Sequence, residues 1–491
     1  MGQIFSKNLS QNQRFCGETD LFRLTYSIII MINRHEKAII KDKGYFMNEY
    51  TKYVEKHRKL ILDSLDYIWK NPETGYKEWK THKYMKEIFE SLGYEVVEAG
   101  NIPGFIADID TGKEGPTVAV FGEMDALICE THPEADKETH AVHSCGHCAQ
   151  AAGLIGVAAA LKEEGALDGM CGKIRLVAVP AEELLEVEFR EDLRKKGIIK
   201  YFGGKPEFMY RGLLDGVDLA FMVHTAPGDV PTLAIGKGSN GCIAKTMTFK
   251  GVSAHAGGAP QNGVNALYAA NLALNAANAL RETFVDNNHI RFHPIITHGG
   301  DAVNAIPDKV TMESYVRGAS MENILEANKK INRAFAAAAA SMGAKVHLRD
   351  IPGYWPRQYP DDFVAAFEEA AKQVVDNVKV SDTWGTGCSD MGDVGAVMPT
   401  IHPTASGAVG NSHGNAYYIP DGDTACVKSA EAQVVLLSVL LKDGAKKAKS
   451  IVANYKPRFA SMQEYFDYMD SINLDEEAVS YEGDDKVVLK Y

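Results

Sequence analysis

The stretch HSCGHCAQAAG, residues 143–153, brings two thiols and two imidazoles close together in the chain. Cys145 and Cys148 form a Cys-x-x-Cys pair ahead of a helix that we predict over residues 149–164. Such a pair is typical of a thiol–disulfide oxidoreductase, because the helix dipole lowers the pKa of the first thiol. Cys-x-His at Cys145 and His147 is equally typical of a divalent-metal site. The rest of the sequence has to decide between the two chemistries.

Side chains of metal-ligand type also follow three other predicted strands. VAVFGEMDA ends near Glu123 and Asp125, RLVAVPAEE ends in Glu182 and Glu183, and LAFMVHTAP contains His224. Ligands of open α/β sheets bind just beyond the carboxyl ends of the strands, so we expect these groups to converge. A single strand-end histidine or glutamate is more often a helix cap, but four such strand ends indicate a common site.

The residue types favour a metal centre that performs hydrolysis. Thiolate, imidazole and carboxylate together suit Zn²⁺, Mn²⁺, Co²⁺ or Ni²⁺. Adjacent Glu182 and Glu183 leave their strand in different directions, so one can bind metal while the other carries a proton. A bound ion lowers the pKa of its water from about 15.7 toward 7, and a neighbouring carboxylate can then take the proton. A redox dithiol would explain neither this glutamate pair nor His224, and no second cysteine pair stands at zinc-finger spacing.

The order of predicted elements indicates an α/β protein with an insertion. Residues 47–236 alternate short apolar strands with helices, which predicts a catalytic domain with a mostly parallel sheet. Residues 237–350 read β-α-β-β-α-β, a split βαβ (ferredoxin-like) α+β arrangement. Residues 351–450 return to the first domain, and residues 451–491 form a tail in which we predict no more than a helix. Residues 1–46 show no hydrophobic periodicity. We interpret them as a disordered N-terminal extension or as the result of a start codon assigned too far upstream.

Composition narrows the class of protein. The chain has 491 residues with 65 acidic and 52 basic side chains, a formal net charge of -13, which argues against a nucleic-acid binder. The longest apolar run that we identify, YSIIIMI at residues 26–32, is far shorter than a membrane span. Eight cysteines in a chain of this length do not form a disulfide framework. We therefore expect a cytoplasmic protein that acts on a small molecule, with no membrane or nucleic-acid partner.

Taken together and in order, the motifs resemble those of the metal-dependent amidohydrolases that include aminoacylase, carboxypeptidase G and the auxin-conjugate hydrolases. The closest branch is that of the B-type chain of aminobenzoyl-glutamate hydrolase. The resemblance covers about residues 48–445 and rests on GEMDAL, HSCGH, PAEE, HTAP, GVSAHAGGAPQNGVNAL, NAIPD with VRG, SDMGDVGAVMPT and SHGN. It implies a catalytic domain with an inserted lid or dimerisation domain, one or two divalent ions, and a homodimer or a complex with a sister subunit.

The resemblance also implies roles for individual residues. The implied metal ligands are Cys145, His147, Glu183, His224 and His413, with Cys145 bridging two ions. Glu182 is the implied general base. Asp125 is implied to orient one of the metal-binding side chains without binding the metal itself. His402, in TIHPT, competes with His413 for the last ligand position. Cys148 and Gln150 stand where the auxin-conjugate branch has an aspartate and a histidine, which leaves their function open.

Three residues of the insertion carry implied roles as well. His255 stabilises the oxyanion of the reaction, often in the partner subunit's site. Asn304 and Arg317 hold a substrate carboxylate, a task that suits a guanidinium fork. A salt bridge or a strand-edge contact is the alternative interpretation for Asn304 and Arg317.

The sequence therefore predicts a metallohydrolase of the aminoacylase and carboxypeptidase type that cleaves an amide in a small N-acyl amino acid, an aminobenzoyl-glutamate-like conjugate or a dipeptide. Two alternatives from other classes stay open. One is a non-catalytic metal- and ligand-binding partner subunit. The other is a thiol–disulfide oxidoreductase using Cys145 and Cys148, whose activity would be insensitive to chelators.

Overall fold

The computed structural model describes residues 48–483 and 486–491, so the interpretation of residues 1–46 as an extension lies outside the described part of the chain. The helices are α1 (Glu49–Lys56), α2 (Arg58–Trp69), α3 (Trp79–Ser91), α4 (His147–Leu161), α5 (Val187–Lys195), α6 (Gly204–Tyr210), α7 (Ala266–Ala279), α8 (Met321–Ser341), α9 (Asp361–Ala371), α10 (Met391–Gly395), α11 (Ser429–Asn454) and α12 (Met462–Ser471). The strands are β1 (Val96–Glu98), β2 (Phe105–Asp110), β3 (Thr117–Glu123), β4 (Leu127–Ile128), β5 (Ala141–Val142), β6 (Lys173–Val179), β7 (Leu219–Phe221), β8 (His224–Pro227), β9 (Leu233–Ile235), β10 (Gly238–Ser239), β11 (Gly241–Lys250), β12 (Arg291–Phe292), β13 (Ile295–His298), β14 (Lys309–Gly318), β15 (Lys345–Tyr354), β16 (Arg357–Gln358), β17 (Val378–Val380), β18 (Trp384–Gly385), β19 (Thr400–Ile401), β20 (Thr404–Ala408), β21 (Leu474–Glu477), β22 (Val479–Glu482) and β23 (Lys486–Leu489).

The catalytic domain is built on a six-stranded sheet of order β1-β2-β6-β3-β7-β19. Strands β6, β3, β7 and β19 run parallel, whereas β1 and β2 pair antiparallel at one edge. Helix α4 packs against the sheet, and every one of its 15 residues is buried. Its sequence, HCAQAAGLIGVAAAL, is rich in alanine and glycine, which lets neighbouring elements approach closely. The mostly parallel α/β sheet is confirmed.

The insertion folds as the lid, an antiparallel sheet of order β12-β14-β11-β15-β21, with β13 also paired to β14. Helices α7 and α8 pack together and against this sheet. Residues alternate between buried and part-exposed along β14, as expected for a strand covered on one face. The order β-α-β-β-α-β within the lid is confirmed.

The C-terminal tail contains more structure than the helix that the sequence suggested. After α12, strand β21 adds to the edge of the lid sheet, with His347 opposite Glu477 and Asp350 opposite Leu474. Strands β22 and β23 then form a hairpin. The sequence of β21, LDEE, lacks the apolar alternation of a strand, so its conformation is set by the open edge of β15.

Helix α11 continues a π-helical turn, and together they give one apolar helix within the described residues, Asp423–Asn454, which is kinked by a non-helical backbone at residues 442–445. By length and composition alone it could cross a membrane, but 83% of its most apolar window is buried inside the protein. Such burial is typical of a core helix.

Candidate metal centre

Cys145 and His147 are presented by a tight turn between β5 and helix α4. Gly146, between them, has a left-handed backbone with φ of 87°. A Cβ atom at this position would collide with the hydroxyl of Tyr417 and lie 3.0 Å from the Cβ of Thr225. Glycine is therefore needed for both the turn and the close packing. Because the turn starts the helix at His147, α4 begins two residues earlier than predicted from the sequence.

The imidazole of His147 is oriented by Asp125. Its Nδ1 lies 3.0 Å from both the backbone oxygen and the Oδ1 of Asp125, so the tautomer with a proton on Nδ1 satisfies that side of the ring. Burial opposes ionisation of Asp125, but His147 lowers the pKa of this carboxyl to about 2. The Nε2 of His147 is buried without a hydrogen-bond partner in the described residues. The nearest acidic atom to this nitrogen is Glu123 Oε2 at 3.3 Å, so Nε2 faces the acidic cluster. An oriented ring whose second nitrogen faces other ligand-type atoms is what a metal ligand requires.

Glu182 and Glu183 lie in a strained turn that follows β6. Ala181, just before them, has φ of 57°, an uncommon value for a residue with a side chain. The backbone N–H of Glu183 donates to Asp125 Oδ2 at 2.8 Å, and the hydroxyl of Tyr354 donates to the carbonyl oxygen of Glu182. These contacts fix the turn so that the two carboxylates separate, as the sequence suggested.

The predicted ligand residues come together in overlapping groups. Within each group the ligand atoms all lie within 4.8 Å of one another, and the groups are Cys145–His147–His224, Cys145–Glu183–His413 and Glu123–His147–Glu182. The thiol of Cys145 belongs to two groups, which is the placement expected of a bridging ligand. Glu182 and Glu183 fall into different groups, so adjacent residues face different parts of the cluster.

Two histidines reach the cluster from separate segments, one from a strand and one from a loop. His224, at the start of β8, donates from Nδ1 to the Thr225 carbonyl at 2.8 Å, while its Nε2 lies 3.6 Å from Cys145 Sγ. His413 has a left-handed backbone with φ of 64°, and its Nε2 lies 3.0 Å from Glu183 Oε1. His402, the competing candidate, belongs to none of the groups. Its Nδ1 contacts the guanidinium of Arg357 instead.

The electrostatics of the cluster fit one or more divalent cations. Burial, together with the Glu123 and Glu183 carboxylates, raises the pKa of Glu182 well above its usual value. Burial also opposes ionisation of Cys145, yet the imidazoles of His147 and His224 lower the pKa of this thiol to about 6. A cation would compensate the concentration of buried acidic groups and would engage the orphaned nitrogen of His147. Thiolate, imidazole and carboxylate are also the right donors for a zinc-type ion.

The geometry does not support a redox dithiol. Cys148 is fully buried inside α4, and burial raises the pKa of its thiol to about 12. Both Cys145 and Cys148 are free thiols. A buried thiol with a raised pKa is a poor nucleophile, so this pair lacks the exposed reactive partner that thiol–disulfide exchange needs.

A fully buried ion network that the sequence did not reveal lies behind the cluster. The Nζ of Lys205 is 2.5 Å from both Glu123 Oε1 and Asp390 Oδ1, and none of the three side chains is exposed. Gln150 donates to Glu123 Oε2 at 2.8 Å, which gives this departure from the family pattern a structural function. Glu123 was recognised at its strand end, but Lys205 and Asp390 are separated by 185 positions and carry no local signal of their pairing.

The lid residues divide into two sets. Arg317 lines a cavity of about 470 Å³ together with Cys145, Glu182 and other members of the cluster, a volume suited to a small ligand. His255 and Asn304 are exposed and do not line this cavity in the described chain. They lie side by side on the lid, where the N–H of Ala256 donates to the Asn304 carbonyl at 2.9 Å.

Comparison with known proteins identifies a matching family model and several related hydrolases. The model of peptidase family M20/M25/M40 matches residues 119–439, more than half of the chain. N-acetylcysteine deacetylase of Bacillus subtilis is 26% identical over 327 residues, covering 65% of this chain and 80% of that protein. The B-type chain of p-aminobenzoyl-glutamate hydrolase of Escherichia coli is 27% identical over 308 residues, covering 60% of this chain and 58% of that protein.

Solved structures show the same fold. A dinuclear metal-binding peptidase of the M20 family from Bacillus subtilis matches with a TM-score of 0.59 at 21% identity, covering 79% of this chain and 99% of that chain. The resemblance inferred from the ordered motifs is thus confirmed. With a matching family model, a shared fold and a cluster of metal-type ligands, the chain belongs to peptidase family M20/M25/M40 and is a metal-dependent hydrolase of amide or peptide bonds.

Proposed function

We propose that the protein cleaves the amide bond of a small N-acyl amino acid, an aminobenzoyl-glutamate-like conjugate or a dipeptide. The observation that carries this proposal is that the two adjacent glutamates belong to different groups of ligand-type atoms. Glu183 forms a group with Cys145 and His413, whereas Glu182 forms a group with Glu123 and His147 and not with Cys145. One glutamate is therefore available as a ligand and its neighbour as a base.

In this proposal Cys145, His147, Glu183, His224 and His413 hold one or two divalent ions. Manganese and zinc are our first candidates, with cobalt and nickel as alternatives. Ions of this kind polarise the scissile carbonyl and make water more acidic.

The chain's own side chains complete the chemistry. Glu182 takes a proton from the attacking water and returns it to the leaving amine, acting as general base and then general acid. Asp125 holds His147 in the tautomer that directs Nε2 toward the cluster.

Metal removal and restoration tests the proposal. We expect a chelated sample to hydrolyse nothing in a panel of aminobenzoyl-glutamate, N-acyl amino acids and dipeptides. Adding Mn²⁺ or Zn²⁺ should restore turnover of at least one of them. A sample that binds metal and a panel compound but cleaves none would instead identify a non-catalytic partner subunit, and full activity without metal would overturn the proposal.

We also propose that the protein is a homodimer that pairs through the lid. Apolar side chains are exposed on α7 and on the edge strand β13, where Tyr268 and Ile295 are each 62% exposed. Neighbouring Leu272 and Ile296 are exposed as well. Contiguous exposed apolar groups mark interaction surfaces. A sister subunit on the same surface is the alternative.

His255 is expected to act in the active site of the partner subunit, because it lies outside its own chain's cavity. His255→Ala should lower kcat by about 10²–10³-fold, the usual effect of losing one oxyanion donor, without unfolding the lid. Mixing this variant with Glu182→Gln should recover about a quarter of wild-type activity, since half of the dimers pair unlike chains and each has one intact site.

Each variant alone serves as the control for this mixing experiment and should remain inactive. Failure to recover activity after verified subunit exchange would place His255 in its own chain's site. An unchanged kcat for His255→Ala would remove it from the reaction.

A cytoplasmic location is the last part of the proposal. The described cysteines are all free thiols, which is typical of a reducing compartment. Cell fractionation with a compartment-specific thiol label provides the measurement, and labelling only from outside the cell would contradict this location.

A further inference from the structure

A buried carboxyl group that the proposed reaction does not use lies next to the turn that carries the two glutamates. Glu78 stands directly before α3, and its side chain is inaccessible to water. Its Oε1 accepts the backbone N–H of Ala181 at 2.8 Å, whereas its Oε2 has no hydrogen-bond partner among the described residues. Burying a carboxyl group is costly, so an acid in this place calls for an explanation beyond packing.

The turn from Ala181 to Glu186 is strained at both of its ends. Ala181 has φ of 57° and Glu186 has φ of 50°, left-handed values that are uncommon for residues with a side chain. Such conformations persist only where neighbouring groups hold them. The directions of Glu182 and Glu183, which lie between the two ends, therefore depend on the contacts that surround the turn.

The loop of residues 73–78 contacts both ends of this turn. Glu78 holds the first end through its hydrogen bond to the backbone. At the second end the Glu186 carboxylate accepts a hydrogen bond from Thr74 Oγ1 and pairs with Lys77 Nζ, each at 2.5 Å. One loop therefore supports the turn from end to end.

Arg190, on α5, supports the turn between its ends. Its buried guanidinium donates to the carbonyl oxygen of Glu183 and, through Nη1, to that of Phe202 at 2.7 Å. A Cβ atom at Gly75 would collide with Nη2 of Arg190, so the absence of a side chain there lets the loop of residues 73–78 approach. The loop thus packs against the same guanidinium that holds Glu183.

We propose that Glu78 and Arg190 are positioning residues that set the directions of the two adjacent glutamates. Glu78 fixes the backbone just before Glu182, and so directs the proposed base. Arg190 fixes the carbonyl group of Glu183, and so holds the proposed metal ligand. Neither residue lines the cavity beside the cluster in the part of the chain that the structure describes, so each acts through the turn. This inference rests on the proposed amide hydrolysis and adds two residues to it.

Substitution of Glu78 tests its control of the base. Leucine is similar in size but accepts no hydrogen bond, so Glu78→Leu should lower kcat by about 10–100-fold, the effect of a small displacement of a catalytic group. KM and the affinity for Zn²⁺ should stay close to those of the wild type. The assay uses metal-restored enzyme, and kcat is referred to the folded fraction measured by circular dichroism.

Glutamine at the same position separates the hydrogen bond from the acid. Burial and the Asp125 carboxylate raise the pKa of Glu78 well above its usual value, so glutamine resembles the neutral form of this side chain. Glu78→Gln keeps an acceptor oxygen with the same reach and should therefore retain most of the wild-type kcat. Glu78→Asp is one methylene shorter and should lower kcat by a smaller factor than leucine does. It tests the proposal even if Glu78→Leu does not fold.

Substitution of Arg190 tests its control of the metal ligand. Arg190→Met removes the donor to the Glu183 carbonyl, and we expect the Kd for Zn²⁺ to rise by about 10–100-fold, the usual effect of losing a group that orients a ligand. Calorimetric titration of the apo-protein with Zn²⁺ gives this value without any turnover.

Glu73→Leu is the matched control, because it makes the same change in the same loop. The Oε2 of Glu73 accepts the backbone N–H groups of Lys80 and Thr81 at 2.9 and 3.1 Å, so it supports α3 and not the turn. Glu73→Leu should lower the melting temperature but leave kcat and the Zn²⁺ affinity unchanged. A purely structural function of Glu78 would give the same result for Glu78→Leu.

The possible outcomes separate the two positioning residues from the reaction. Unchanged kcat in folded Glu78→Leu or Glu78→Asp, or an equal loss in Glu78→Gln and Glu78→Leu, overturns the function of Glu78. Loss of Zn²⁺ affinity in Glu78→Leu overturns its assignment to the base, and unchanged affinity in Arg190→Met overturns the function of Arg190. A wild type that cleaves no amide with metal restored overturns the amide hydrolysis and the function of Glu78, while the titration still decides whether Arg190 positions Glu183.

Discussion

Replacing Glu182 by glutamine is expected to lower kcat by about 10²–10⁴-fold while the metal stays bound. Glutamine keeps the size of the side chain but cannot accept a proton. The turn around Glu182 is held through backbone contacts, namely the hydroxyl of Tyr354 on its carbonyl and Asp125 on the next N–H, so the substitution leaves these supports in place. The effect should therefore fall on the proton transfer and not on the fold.

Metal content distinguishes Glu182 from its neighbour. Glu183→Gln is the matched variant, one residue away in the same turn, and we expect it to lose metal affinity because Glu183 groups with Cys145 and His413. Titration of each apo-variant with Zn²⁺ by calorimetry, alongside kcat, gives the comparison. Loss of metal from Glu182→Gln but not from Glu183→Gln would show that the two roles are reversed.

Replacing Lys205 by methionine is expected to lower the free energy of unfolding by about 3–5 kcal/mol, the range for breaking a buried ion pair from one side. Lys205 bridges Glu123 and Asp390 at 2.5 Å each, and all three side chains are inaccessible to water. Methionine fills a similar volume, so the loss arises mainly from two carboxylates left without a positive partner. Denaturant unfolding monitored by circular dichroism measures the change.

The same substitution at an exposed lysine provides the control. Lys83 lies on α3, where its Nζ is 3.8 Å from Oε1 of Glu87 one turn later. Lys83→Met should change the free energy of unfolding by less than about 1 kcal/mol. Combining Lys205→Met with Glu123→Gln and Asp390→Asn should recover much of the lost stability, because no uncompensated charge then remains. A loss below about 1 kcal/mol for Lys205→Met alone would mean that water reaches the network.

The positions of the ligand-type residues could be predicted because they depend on local rules. The strands that precede Asp125, Glu182 and His224 are apolar and short, and the carboxyl ends of neighbouring strands meet at one edge of a sheet. The lid could be predicted for a similar reason, since its β-α-β-β-α-β order follows from successive changes of hydrophobic period.

Contacts between distant parts of the chain could not be predicted in this way. The pairing of Lys205 with Asp390 joins a helix start to a loop 185 positions later, and neither residue has a periodic signal. The first turn of α4 was missed because a left-handed glycine, Gly146, starts the helix where the sequence offers no capping side chain. The placement of Arg357 beside His402 likewise depends on the return of the chain from the lid.

The strand that the tail contributes to the lid makes the two edges of the lid sheet different. On one side β21 covers the edge of β15, and its charged side chains Asp475, Glu476 and Glu477 pair with His347, Lys490 and Lys250. A charged edge strand discourages a further strand from joining. On the other side, among the described residues, β13 is paired only with β14. If two copies of the chain pair through this free edge, we expect the assembly to stop at a dimer, because the opposite edge does not favour a further strand.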